Sequence, residues 1–551
     1  MTDGSVDTLQ FRASNSIQTT SLVAYQSRGH CLIIAPIEIG VEVAARLNTP
    51  GKTLFVPTDA DDGIDKKSTE DGLTVIRAKL LDLHGYLGAF DCSIGEKNSP
   101  GSLAKVAGVS LLGGFDLVLD LSEQPVLDVD VLPFGYLAPG TDNTSIDAAM
   151  EQLLELQGDF EKPRYFEYDA SICAHSRSGI TACTNCIDVC GTGAISTNGD
   201  GVAIEPYLCQ GCGSCSSSCP SGAVRYAYPA PADAMSQLAG LLAEHRAKGS
   251  AQTLVFLHDA ENGAERLQQF EADLADTILP LAVEEVASIG IDGWFCALAY
   301  GAALVVIDAP SENSAMRRGL ADQLRIANEI LAGIGLVDRL RLLEVEDASS
   351  LNALAGESWS SGPVASFSTH NNKRQTTRLA LDHLREHATV FAGEAVTIND
   401  TVALWPGAPF GEVVVNPDTC TLCLACVTVC PARALQDGET LPQLKFLETN
   451  CLQCGMCEQA CPENAISLMP RFLYDSETAL KPRIVNEEAP FNCVVCNTPF
   501  ATQAIIGRMQ SKLAGHWMFG DNKALRRLKM CEDCRVKDIF EDESGIDVHK
   551  T

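Results

Sequence analysis

The sequence predicts a multidomain chain of the α/β plus α+β classes, and three observations carry that prediction. The chain has 551 residues, more than one hydrophobic core usually organises, so several domains are expected. Sixteen of its 23 cysteines stand in four tight runs that form two pairs, and four more make two Cys-x2-Cys knuckles near the end. Around these runs, short apolar stretches alternate with helix-length segments, the pattern of small α/β layers.

Composition narrows the class further. Hydrophobic residues make up 46% and charged residues 20% of the chain, which excludes wholesale disorder. Acidic residues number 72 against 40 basic ones, a net charge of −32. Binding to nucleic acid through phosphates needs the opposite balance, and so does a basic patch on anionic lipid. Met1-Thr2-Asp3-Gly4-Ser5 has neither a basic nor an apolar signal region, so no secretory signal is expected. The longest apolar run, Trp294 to Ile307, holds 14 residues, too short to cross a membrane. A cytoplasmic, reducing setting is therefore expected, in which clustered thiols hold metal rather than form disulfides.

Taken in order, residues 1–28 read as a tail and 29–160 as an α/β domain. Cys31-Leu32-Ile33-Ile34-Ala35, Lys52 to Val56 and Phe115 to Asp120 read as buried strands, with Val41 to Leu47 as a helix. The turn Pro36-Ile37-Glu38-Ile39-Gly40 lacks the three glycines that bring a pyrophosphate onto a helix N-terminus. A docking or scaffold role follows for this domain.

Residues 165–229 form the first cysteine module. Cys209-x2-Cys212-x2-Cys215-x3-Cys219-Pro220 is a complete run, whereas its partner reads Cys173-x9-Cys183-x2-Cys186-x3-Cys190-Gly191. The first gap of the partner is seven residues longer than the usual two. The extra loop carries His175 and Arg177, which either donate hydrogen bonds near the sulfurs or lie on a solvated insertion. Residues 250–348 read as a second α/β domain. Its strands are Thr253 to Leu257 and Ala303 to Ile307, with Gly293 to Tyr300 as an apolar helix and a helical stripe from Leu320 to Leu331. Residues 349–410 follow as linker and helix, with turn-rich stretches at Ser360 to Asn372 and Lys481 to Pro490.

Residues 411–470 form the second cysteine module. Cys420-x2-Cys423-x2-Cys426-x3-Cys430-Pro431 precedes Cys451-x2-Cys454-x2-Cys457-x3-Cys461-Pro462. This is the bacterial two-cluster ferredoxin spacing, in which each run lends its fourth cysteine to the other cluster. The crossing rule assigns Cys420, Cys423, Cys426 and Cys461 to one 4Fe-4S cluster, and Cys430, Cys451, Cys454 and Cys457 to a second. In the first module it assigns Cys173, Cys183, Cys186 and Cys219 to one cluster, and Cys190, Cys209, Cys212 and Cys215 to the other. A three-iron cluster without Cys173 is the alternative there. After each fourth cysteine an alanine and an aliphatic residue recur, as in Gly193-Ala194-Ile195, Gly222-Ala223-Val224, Arg433-Ala434-Leu435 and Asn464-Ala465-Ile466. The repeat implies one unit, strand, cluster loop, short helix, strand, used four times.

Residues 488–540 close the chain as a zinc-binding segment. Cys493, Cys496, Cys531 and Cys534 offer the four-sulfur shell of structural zinc, with a helix at Thr502 to Leu513 between the knuckles. Their wide separation weakens that match, and a lone iron or a fifth cluster stays open. Cys31, Cys92 and Cys296 stand singly in apolar surroundings and read as buried core residues. No serine or cysteine nucleophile has a base in a recognisable motif, and no Gly-rich phosphate loop appears.

The stretches Asp169 to Thr181, Tyr207 to Gly213 and Leu525 to Cys531 resemble the proteobacterial 4Fe-4S dicluster ferredoxin-type proteins, long polyferredoxins often encoded near molybdenum-dependent formate dehydrogenases. The resemblance runs over nearly the whole chain. It implies two ferredoxin modules, redox protein partners and a link to a formate dehydrogenase. Val286 to Ile307 is also faintly similar to the small electron-delivery subunits of methanogen hydrogenase–heterodisulfide reductase complexes, but only Cys296 of their several cysteines is present. The function expected is electron transfer by four 4Fe-4S clusters, with the second α/β domain fixing the distance between modules. The alternatives are an iron-sulfur subunit whose catalytic partner is another chain, or a maturation or regulatory factor.

Overall fold

The computed structural model describes residues 21–541 apart from 60–62, 70–72, 110–112, 141, 250–251, 310–313, 440, 514 and 520–521, so Met1 to Ser5 lie outside the described residues. The strand Leu22–Ser27 opens the fold, within the span read as a tail. It buries every second side chain and pairs antiparallel with Gly158–Pro163.

In the N-terminal domain the strands Leu117–Asp120, His30–Ile34, Gly51–Pro57 and Thr74–Ala78 run parallel in that order, with Tyr136–Leu137 at one edge and Asp65–Ser68 at the other. Leu32, Ile33 and Ile34 are consecutive and all buried, because layers cover both faces of the sheet. Helices Ile37–Arg46 and Asn143–Glu155 cover one face through Val43, Ala44, Ile146 and Leu153. A three-stranded meander, Leu80–His84, Asp91–Glu96 and Ser99–Ser102, helps cover the other with Leu83, Cys92 and Ile94. The sequence reading missed that meander, whose strands are short and half polar.

The second α/β domain is a parallel sheet in the order Ile278–Val283, Leu254–Asp259, Leu304–Asp308 and Leu340–Leu343. Helix Ile291–Ala299 is apolar on nearly all sides because it lies between this sheet and helix Lys373–Glu386. Residues 349–410 contribute more than a linker. They hold helices Ala348–Ala355, Lys373–Glu386 and Ala388–Ala392, and Ala380, Leu381, Leu384 and Phe391 join the same core as Trp294 and Phe295. Buried Arg339 ties the join, donating to the carbonyls of Ala303, Ser360 and Phe391.

Both cysteine modules repeat the expected unit. Phe166–Tyr168 pairs with Val224–Tyr226 and Ile195–Asn198 with Gly201–Ile204 in the first; Gly411–Val415 pairs with Ile466–Leu473 and Leu435–Asp437 with Gln443–Phe446 in the second. Two strands extend the second module. Thr401–Ala403 adds to Ile466–Leu473, and Arg483–Glu487, inside the stretch read as turn-rich, adds to Gln443–Phe446. The modules are also not held apart by the α/β domain as expected: Arg177 Nη1 of the first lies 3.4 Å from the Cys430 carbonyl of the second. Among the described residues, no helix is long and apolar enough to cross a membrane.

Replacing Arg339 by Met leaves three carbonyls without their cationic donor. The expected cost is about 2–4 kcal/mol, because stranded buried acceptors lose their solvation without compensation. Hydrogen exchange should rise across residues 357–392 while the N-terminal domain keeps its protection. Unchanged exchange there would remove Arg339 as the tie.

Candidate metal centres

Three of the four cysteine runs share one backbone device. The residue before the second cysteine and the residue after it both take left-handed φ: Leu422 and Leu424, Gln453 and Gly455, Gly211 and Gly213. That conformation costs a leucine or glutamine of order 1 kcal/mol or more, and such strain persists where a ligand site over-determines it. These turns wrap each loop so that its cysteines converge. In the Cys173–Cys190 run the corresponding Ala182 and Thr184 keep negative φ, that of Thr184 being −120°, and the pattern is absent.

In the second module two small cavities open between the loops. Cys420, Cys423, Cys426 and Cys461 line one; Cys430, Cys451, Cys454 and Cys457 line the other. The recurrent alanine also has a role that spacing did not reveal. The Ala434 N–H donates to Cys430 Sγ and the Ala465 N–H to Cys461 Sγ, each at 3.2 Å. Gln453 Nε2 adds a bond of 3.3 Å to Cys451 Sγ.

In the first module the same crossing pattern appears in the electrostatics. Cys186 feels the charges of Cys219, Cys183 and Cys173, whereas Cys215 feels those of Cys212, Cys209 and Cys190 most. Cys173 packs, with Tyr168, against the small core that holds Cys219 of the same set. The long gap before Cys183 is solvated only at its tip, where Ser178, Gly179 and Thr181 are exposed. Ala174, His175 and Ser176 are buried, and His175 Nδ1 lies 2.9 Å from the Cys183 carbonyl.

The chemistry of these thiols fits a cationic cluster. Burial first, then Cys420, Cys423 and Cys461, pushes Cys426 up to about 12. Burial and its three neighbours push Cys186 to the same value, and Cys457 is also driven upward. Bare thiols so placed stay protonated, yet N–H groups point at several of the sulfurs, an arrangement that suits anionic thiolate. A metal cluster reconciles the two by supplying the positive charge.

The C-terminal cysteines form a separate group. The sulfurs of Cys493, Cys496, Cys531 and Cys534 all lie within 4.8 Å of one another, with Cys496 and Cys531 3.6 Å apart. Metal–sulfur bonds of about 2.3 Å in a tetrahedron give edges of about 3.8 Å, so the quartet suits one ion. Desolvation works to raise Cys493, but the N–H groups of Cys496, Cys531 and Val495 outweigh it and bring the thiol down to about 6. This segment docks on the second module through Thr502 Oγ1 to the Thr421 carbonyl at 3.1 Å and an Arg508–Glu463 ion pair. Cys31, Cys92 and Cys296 are each fully buried. All 23 cysteines are free of disulfides.

Several supporting residues carried no sequence signal. Buried Glu448, three positions before Cys451, binds Arg471 at 2.8 Å and Arg483 at 2.7 Å. Burial works to raise its carboxyl, and these guanidiniums outweigh that and hold it below the usual range. Beside Cys209, Tyr207 stacks on Tyr86 with centroids 4.3 Å apart, and Lys162 donates to the carbonyls of Tyr207 and Cys209. The N-terminal domain is thereby fastened to the first module.

Comparison with known proteins bears on both modules. Residues 202–225 match the 4Fe-4S binding domain family, and residues 412–462 match the 4Fe-4S dicluster domain family. The chain carries two 4Fe-4S ferredoxin-type segments. A stretch of 61 residues is 34% identical to NADH-quinone oxidoreductase subunit I 2 of Geobacter metallireducens. It covers 10% of this chain and 47% of that protein, so the chain spans about half the length of its relative.

Changing Cys531 to Ser should release the ion of the C-terminal quartet and expose residues 490–540 to protease. Iron content should stay at the parent value. Loss of iron together with the ion would place this quartet in the redox path.

Proposed function

We propose that the chain is an electron-transfer iron-sulfur protein carrying four 4Fe-4S clusters and one structural zinc. The observation that supports this reading is the pair of cavities in the second module, each lined by four cysteines, together with the 4Fe-4S family matches in both modules. When bound, each cluster takes up and returns one electron near constant geometry. The residues assigned to the first module are Cys173, Cys183, Cys186 and Cys219, then Cys190, Cys209, Cys212 and Cys215. Those assigned to the second are Cys420, Cys423, Cys426 and Cys461, then Cys430, Cys451, Cys454 and Cys457. The protein's own part is to bury these thiolates, donate hydrogen bonds to them and hold the loops in their left-handed turns.

The partners in this reading are redox proteins. A net charge of −32 steers the chain towards basic patches on them. The similarity to an oxidoreductase subunit supports a role within or beside a larger complex whose catalytic subunit is another chain. The resemblance to polyferredoxins makes a formate dehydrogenase the partner to try first, and a cytoplasmic setting goes with it. Zinc suits the C-terminal quartet because a redox-inert ion serves a segment that closes over the second module.

Anaerobically purified protein should hold about 16 iron, 16 acid-labile sulfide and one zinc per chain, four irons for each cubane. Replacing Cys461 by Ala should damage the cluster of Cys420, Cys423 and Cys426 and spare that of Cys454. Iron near 8, or loss of the Cys454 cluster instead, would contradict the assignment.

A further inference from the structure

Where the two modules meet, positive side chains gather on the cluster loops. Arg177, on the extra loop of the first module, points Nη1 at the Cys430 carbonyl. The hairpin of that loop, Ser176–Arg177 with Ile180–Thr181, packs against the short helix Met456–Gln459 that carries Cys457. From the other side, helix Lys373–Glu386 presents two adjacent cations. Lys373 Nζ donates to the carbonyls of Ser216 and Ser217, between Cys215 and Cys219. Arg374 donates to the carbonyls of Thr449, Pro409 and Cys451, each at 2.9 Å, and lies over the Phe410 ring. One dipeptide thus grips a loop in each module.

These contacts set an order. Cys186 and Cys215 share one small core within the first module, Cys426 and Cys457 share another within the second, and between them the hairpin that leads into Cys183 lies on the helix of Cys457. We propose that the four quartets form one continuous array, with its central crossing between the Cys183 and Cys454 sets, and that Arg177, Lys373 and Arg374 are the positioning residues that hold this crossing closed. The proposal rests on the four-cluster reading given above. It also gives the seven-residue lengthening before Cys183 a purpose, since the ordinary two-residue spacing leaves no hairpin to reach the second module.

The cations do more than brace. Buried carbonyls aimed away from the sulfurs need donors, and a buried guanidinium satisfies three of them at once. A hydrophobic join of equal area would leave those carbonyls stranded. Each cation also favours the more negative, reduced state of a neighbouring cluster.

The test uses the full chain, purified without oxygen, with electron paramagnetic resonance of the reduced clusters as readout. Iron near 16 in the parent is required by the four-cluster reading, and iron near 8 defeats that reading alone. Given full iron in the parent, C454S, by losing its own cluster, should slow spin relaxation of the first module's clusters, whereas C420S, by losing the outer cluster, should leave it at the parent value. R177A and R374Q should each retain full iron, lose part of the coupling between modules, and lower the potential of the Cys451 cluster. Restoration of coupling in R177K would mark the cation rather than the loop alone as the brace. A first module indifferent to C454S would overturn the array. Full iron with parent coupling in both R177A and R374Q, or iron loss confined to the first module in R177A, would overturn the clamp.

Discussion

Thiols gathered into tight, largely shielded groups set a charge problem that the rest of this structure answers. Four thiolates cannot share one dry site without a cation, because burial and mutual repulsion each favour the protonated form. Cys186 and Cys426 are both pushed up to about 12 by those two effects. The surrounding backbone is nevertheless built for anions: left-handed turns, N–H groups directed at sulfur, and a glutamine amide beside Cys451. Such a site is stable only when its positive charge is bound within it, so the local fold and the cluster depend on one another.

That dependence explains what covers the quartets. The N-terminal domain seals the Cys209 end through the Tyr86–Tyr207 stack and Lys162. The C-terminal segment closes over the Cys420 end through Thr502 and Arg508. The second α/β domain, with helix Lys373–Glu386, packs along the side of both modules rather than between them. Beneath the second module, Glu448 and Glu412 bind Arg471 and Arg483 in a half-buried network. Removing a single member of such a network strands a partner charge and typically costs about 3–5 kcal/mol. The protein surrounds its redox-type modules with scaffolding at three places, and leaves Cys423 exposed at the outer end.

The two 4Fe-4S ferredoxin-type segments were legible in sequence because ligand spacing is short-range and dictated by the cubane. The buried parallel strands were legible for a similar reason, since residues such as Ile33 and Val305 sit in unbroken apolar runs. The strand Leu22–Ser27 has a regular alternation, but its partner Gly158–Pro163 contains glycine, proline and three charges, so nothing announced the pairing. Arg483–Glu487 was concealed likewise, following Lys481-Pro482 and pairing with the distant Gln443–Phe446. The join between modules was the least legible feature. Arg177 and Cys430 are 253 positions apart, and a lone arginine on a loop carries no period that names its partner. Spacing showed that a loop was long, and only the fold showed what the extra length touches.

The most direct measurement is anomalous diffraction at the iron edge from crystals of the anaerobic, fully loaded protein. The account predicts four iron-rich centres in one sequence through the molecule, the inner two flanked by Cys183 and Cys454 and the outer two by Cys209 and Cys423. A single zinc signal, read at the zinc edge, is predicted at Cys493 and Cys531. Two remote pairs of centres, or an inner pair flanked by any other cysteines, would contradict it.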